Sequence, residues 1–200
     1  MGMAAVSAML GIGLAFAHAR SGGAWAVGRP APQPIPFSHA VHAGGLGLDC
    51  RFCHAQVEHA AAAGMPTAET CLGCHARVWS VTAQLAPLTT ALAQGTPVVW
   101  SSAHRLPDHV RFHHGAHLHA GIGCQTCHGA VEAMPQTVRA QTLSMGWCLD
   151  CHRQAATHEA AGRAETPPLP DGARIGLAAQ TTMHEGISIP ALTRCSTCHR

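Results

Sequence analysis

One short pattern recurs five times along the chain and limits what it can become. Cys50-Arg51-Phe52-Cys53-His54, Cys71-Leu72-Gly73-Cys74-His75, Cys124-Gln125-Thr126-Cys127-His128, Cys148-Leu149-Asp150-Cys151-His152 and Cys195-Ser196-Thr197-Cys198-His199 all read C-x-x-C-H. They use all ten Cys of the 200-residue chain. Two thiols three positions apart on a helical turn face the same way, so both can add to the vinyl groups of one porphyrin. The His that follows can then bind the iron from that side. This is the attachment signature of c-type haem. Zinc sites use C-x-x-C pairs without a His after each one, and disulfides require only an even Cys count. With seventeen His in the chain, five of five flanking His by accident has a probability on the order of 10⁻⁵ to 10⁻⁶. The pattern therefore implies five covalent haem c groups, with His54, His75, His128, His152 and His199 as proximal ligands.

Composition supports this. Aromatic residues make up 4% of the chain, Tyr is absent, and charged residues make up 11%. So few large side chains cannot build an ordinary core, and macrocycles would supply the missing apolar bulk. The expected fold is mostly irregular with short α-helices and little or no β structure, the haems forming the interior. All twelve cationic residues are Arg and the net charge is +2, with no basic run that would suit nucleic acid. Arg51, Arg77, Arg153, Arg194 and Arg200 sit beside motifs, where a guanidinium fork could clamp a haem propionate.

The motifs fall into an internal repeat. Phe37-Ser38-His39-Ala40-Val41-His42 precedes the first two, and Phe112-His113-His114-Gly115-Ala116-His117 precedes the next two. Each copy reads F-x-H-x-x-H followed by two C-x-x-C-H motifs. The organisation is then 1–20 membrane anchor or signal segment, 21–36 Pro/Gly-rich linker, 37–80 first two-haem module, 81–109 connector with a helix expected over 84–94, 110–158 second two-haem module, and 159–200 a segment carrying the fifth haem. Nineteen uncharged positions precede Arg20. A retained anchor fits the apolar run and a cleaved signal fits Ala17-His18-Ala19; the anchor is favoured, and both place the body outside the cytoplasm, on the periplasmic side of the membrane.

His39/His42 and His114/His117 are spaced i, i+3 and share a helix face. They cannot bind opposite sides of one porphyrin, so if both ligate they serve two neighbouring haems. These four are distal ligand candidates. His104 is the favoured fifth, with His184 or a Met (Met65, Met134, Met145, Met183) as fallback. The other His (His18, His59, His109, His113, His119, His158) are expected to contact solvent or propionates.

The paired modules resemble class III, cytochrome c3/c7-like multihaem cytochromes. Pro34-Ile35-Pro36-Phe37-Ser38-His39, Gly45-Leu46-Gly47-Leu48-Asp49-Cys50, His104-Arg105-Leu106-Pro107-Asp108, Met145-Gly146-Trp147-Cys148 and the terminal Cys195-Ser196-Thr197-Cys198-His199-Arg200 are similar to the pentahaem cytochrome subunit of alternative complex III. That resemblance implies an electron-transfer subunit of a membrane quinol oxidoreductase. Its partners would be an iron–sulfur, molybdopterin-like subunit, polytopic membrane subunits and a monohaem cytochrome c, with onward transfer to that cytochrome or a terminal oxidase. It also implies retained His at His39, His42, His104, His114 and His117. The N-terminal run departs from that family's helix in being short and lacking basic residues at its start.

Two other functions compete. An oxyanion reductase would keep one iron open; the variant with Lys in place of the motif His is excluded because the chain has no Lys. A free periplasmic carrier would dock through a charged patch, which this near-neutral chain lacks.

Overall fold

The computed structural model describes residues 2–80, 83–154 and 192–199. Helices α1 (Gly2–Arg20), α2 (Cys50–Cys53), α3 (Ala68–His75), α4 (Ala86–Gln94), α5 (His114–His119), α6 (Cys124–His128), α7 (Met145–Arg153) and α8 (Cys195–Cys198) are joined by long irregular stretches. Among the described residues β structure is confined to isolated bridges. The expected class, short helices with irregular remainder, is what the chain adopts.

Helix α1 stands apart. None of its residues is buried, and it is long and apolar enough to cross a membrane, a property that signal sequences share. At its end Arg20 lies over the Phe16 ring at 4.1 Å, and Trp25 Nε1 donates to Ala19 O at 3.0 Å. The linker after it is stitched to the body despite its Pro content. Gly28 N donates to Arg139 O at 2.8 Å, and Arg139 Nη1 and Nη2 donate to Trp25 O and Arg105 O at 3.2 and 2.9 Å. The Gln33 amide and Ser101 backbone exchange two bonds, at 2.8 and 3.0 Å. A Pro/Gly-rich segment forms no internal ladder, so its backbone groups find partners elsewhere.

Each motif forms its own short helix. Asp49 caps α2, its carboxylate accepting from Arg51 N at 2.8 Å, and Ser144 caps α7 by accepting from Trp147 N at 3.3 Å. Such caps satisfy amides that a helix start leaves bare. Helix α4 begins with Pro87 in its first turn and stops at Gly95, whose φ of 61° suits glycine. It lies within the stretch the sequence marks as helical.

The buried apolar core is correspondingly small. It consists of Ile35, Ala68, Leu85, Leu88 and Ala91, with Cys71, Leu72, Val98 and Trp100 packed against it. It joins α3 to α4, and the remainder of the body has no comparable cluster among the described residues.

The two His pairs sit on equivalent turns. The first is a π-helical turn over Ala40–Gly45 and the second is α5. They are held reciprocally. Ala40 N donates to Met134 O at 3.0 Å, and its repeat equivalent, Gly115 N, donates to Ala60 O at 3.3 Å. Met134 and Ala60 both lie six positions after a proximal His. The first pair thus rests on the loop after the third motif, and the second pair on the loop after the first. Glycine permits the close approach. A Cβ on Gly115 would stand 2.5 Å from Glu58 O, and one on Gly44 would collide with Glu132 O.

Candidate haem-binding sites

Within each module Phe and the two His form the same cluster. The Phe37 ring is 4.8 Å from His39 at 89° and 4.4 Å from His42 at 28°. Phe112 is 4.8 Å from His114 at 89° and 4.5 Å from His117 at 28°. The second His of each pair faces the second motif of its own module: His42 lies 6.0 Å from His75, and His117 lies 6.1 Å from His152. The first His lies by the first motif. His114 is 6.2 Å from His128 with planes 11° apart. His39 is held below the ordinary histidine range by burial, then by His54 and His42 beside it.

Seven of these imidazoles have Nδ1 occupied, which leaves Nε2 for a metal. His42 Nδ1 donates to Ser38 O at 2.8 Å, and His117 makes the repeat-equivalent bond to His113 O at 2.9 Å. His54, His75 and His152 donate to Gly64 O, Val78 O and Leu192 O at 2.8, 3.1 and 2.8 Å. His114 donates to Ala61 O at 2.7 Å, and His39 bonds the Thr137 hydroxyl at 2.9 Å. Occupation of one ring nitrogen orients the other and raises its basicity, as metal-ligating His require. Burial also favours the neutral form of His39 and His117, the form that binds metal. His128 is pushed down to about 3, by burial first and then by His104 and His114, and burial likewise lowers His117.

The thiols are all free of disulfides. Among the described residues no three His, Cys, Asp or Glu side chains gather to hold a bare ion, against a zinc reading. Phe52, Val41, Leu46, Leu48 and Met145, next to the motifs or the His pairs, are exposed despite being apolar, and Trp100 Nε1 is a buried donor without a partner. Apolar macrocycles with acidic edges suit both features, so the residues present fit haem c.

Among the described residues the Cys side chains link neighbouring motifs in a series. Burial raises the Cys71 thiol and nearby Cys53 raises it further. Cys50 is hydrogen-bonded to Cys124, which lowers Cys50 and raises Cys124. Cys127 is raised by burial, then by Cys151 and Cys148, and Cys148 by burial, then by Cys198. The motifs therefore neighbour one another in the order second, first, third, fourth, fifth.

Several expected roles land elsewhere. Arg51 bonds Asp49 and Glu58 and Arg153 bonds Asp150, so protein carboxylates occupy both. His113, expected to contact solvent or a propionate, is exposed and in addition caps α5 by accepting from Ala116 N at 3.3 Å. His104 is partly buried with Nε2 unpartnered and lies 4.3 Å from His128, edge-on at 76°. The ring facing His199 is His109, at 5.6 Å and 16°. His158, His184, Met183 and Arg200 lie outside the described residues. Arg139, which ties linker to body, carried no sequence signal.

Comparison with known proteins agrees with this geometry. Residues 116–200 match the model of the family described as cytochrome c3. That part of the chain is cytochrome c3-like. The match takes in the third, fourth and fifth motifs. Over 97 residues the chain is also 36% identical to the multihaem cytochrome c subunit of menaquinone reductase from Nitratidesulfovibrio vulgaris (strain Hildenborough). That stretch covers 48% of this chain and 45% of the relative, so the chain spans less than half the length of the relative it matches. The cytochrome c3-like part holds His117, His128 and His152 together with the neighbouring α8.

Proposed function

We propose that this protein is an electron-transfer subunit that relays electrons through five covalent haems, from a quinol-oxidising iron–sulfur module to a monohaem cytochrome or terminal oxidase, within a complex of the alternative complex III type. The serial arrangement of neighbouring motifs, from the second through the first, third and fourth to the fifth, carries this reading, because it lets an electron pass from site to site. Haem c, when bound, supplies reversible one-electron chemistry at iron. The chain's part is to hold and insulate. Each Cys pair would hold one macrocycle, and the motif His would serve as a ligand to its iron. His39, His42, His114 and His117 present imidazoles from the other side of the first, second, third and fourth sites. Two His at each of these four sites would leave no open position there for a substrate, which favours conduction over oxyanion reduction. Because His39 and His42 share one turn, as do His114 and His117, each turn fixes two sites relative to each other.

The relative's place in a menaquinone reductase supports a quinone-linked partner, and α1 with its flanking Arg20 and Trp25 supports attachment to a membrane, the body lying on the periplasmic side. Interfacial Trp and Arg suit the end of a spanning helix. Purification from detergent-solubilised membranes, followed by mass spectrometry of the intact chain, tests the proposal. The expected result is a chain carrying five haem masses together with an iron–sulfur subunit and a polytopic subunit. A chain with fewer haems, or one recovered alone in the soluble fraction, overturns it.

A further inference from the structure

The fifth motif has no His pair of its own, and its distal partner is the one ligand that the repeat does not supply. Imidazole nitrogens about 2.0 Å from a metal on each side place the two ring centres about 6 Å apart. The pairs His42–His75, His114–His128 and His117–His152 lie at 6.0, 6.2 and 6.1 Å. His109 and His199 form another pair of this kind, at 5.6 Å with planes 16° apart. The ring of His104 fails the same test against the iron it lies near: at 4.3 Å and 76° from His128 it leaves no room for an ion between them, and His114 already faces that motif.

The backbone holds His109 there independently of the ring contact. Val110 forms an antiparallel bridge with His199, and Arg111 N donates to Cys198 O at 2.7 Å. A turn bond from Val110 N to Pro107 O, 2.9 Å, sets the entry to this extended segment. The residue after His109 is thus fastened to the proximal ligand itself, and the next to a haem-bearing Cys.

We propose that His109 is the distal ligand of the fifth haem and that His104 does not fill that position. The fifth site is then bis-His like the other four, and its two ligands come from the segment before the second module and from the last motif. This assignment rests on the five-haem reading above. It places the end of the series against residues 109–111, so the fifth haem is tied to the entry of the second module by a ligand from the connector as well as by the Val110 bridge.

Carbon monoxide titration of the dithionite-reduced holoprotein tests this, with haem content measured alongside by pyridine haemochrome and intact mass. Wild type is expected to bind no carbon monoxide. His109→Ala is expected to keep all five haems, to open one of them to carbon monoxide and to a high-spin ferric signal, and to lose both changes on adding imidazole. Combining it with Cys195→Ala and Cys198→Ala removes the fifth haem and is expected to abolish the adduct, which identifies the iron. His109→Met provides a variant that keeps a ligand and is expected to show the ferric Met–iron charge-transfer band at one haem. His104→Ala and His184→Ala are expected to remain inert to carbon monoxide. The assignment is overturned if His109→Ala with five haems stays inert, if His104→Ala or His184→Ala opens the fifth iron instead, or if wild type already binds carbon monoxide there. A wild-type chain with fewer than five haems would instead overturn the reading on which the assignment rests.

Discussion

The two modules share their ligand geometry and differ in almost everything that surrounds it. Phe37 and Phe112 meet their His pairs at distances that agree within 0.1 Å and at the same angles. The first module, however, leans on a small conventional core, in which Leu88 and its neighbours pack on α3 and Trp100 stands 6.4 Å from Phe37. The second leans on flanking segments: Leu192 O holds His152, His104 lies edge-on to His128, and the fifth motif is bridged at Val110. A duplicated unit can therefore keep the positions of its imidazoles and their nearest backbone bonds while changing the packing beyond them.

The largest separation between the modules should come from Leu88→Ala. Leu88 is 2% exposed, and truncating a buried Leu costs about 2–5 kcal/mol. Thermal unfolding followed by Trp fluorescence and by the Soret band should show the first module loosening first; loss of both modules in a single unshifted step would mean that the core supports them equally. Next are Gly115→Ala and Gly44→Ala. Each forces a methyl group into a Glu carbonyl of the other module, and overpacking of this kind costs about 1–3 kcal/mol. Similar losses from the two variants in denaturant titration would confirm that the exchange is symmetric, and a loss from only one would break the symmetry.

Much of this was readable in the chain itself. The C-x-x-C-H spacing is fixed along the chain, so the ten Cys and the five His that follow them announce themselves, as do the i, i+3 pairs. The reciprocal support was not readable, because it runs through the backbone groups of Ala40, Met134, Gly115 and Ala60, whose side chains carry no signal. His109 was one of several unremarkable His, and only its bridge neighbour Val110 sets it apart. His113 was hidden in the same way, since a cap made by a ring nitrogen lies outside the residue types that usually mark helix starts.

Smaller effects refine the comparison. His113→Ala should weaken α5 by about 0.5–2 kcal/mol, the usual cost of a lost cap. Ser38→Ala at the equivalent place should cost a similar amount, because Ser38 Oγ is 3.4 Å from Val41 N and His113 Nδ1 is 3.3 Å from Ala116 N. Amide exchange at Ala116 and Val41 in the diamagnetic reduced protein would measure both. Smallest is the response of the motif caps to acid. Asp49 is held below the ordinary carboxylate range, chiefly by its hydrogen bond to Arg51. A depressed carboxyl contributes stability above its unfolded value that fades as pH falls through the folded one. Exchange at Arg51 N should therefore quicken below about pH 4, whereas Trp147 N, capped by the Ser144 hydroxyl, should not respond. Parallel acid responses at the two amides would place the cause outside the caps.

Because Ala40 reaches for Met134 while Gly115 reaches for Ala60, neither half of the duplication closes on itself. A gene encoding one half would supply donors and acceptors that match those of a second copy of the same product, related by a two-fold axis. The present chain is in effect that symmetric dimer written as one tandem polypeptide. Within one chain the two halves need not match beyond these contacts, and here one packs beside a Leu-lined core and the other beside a fifth motif.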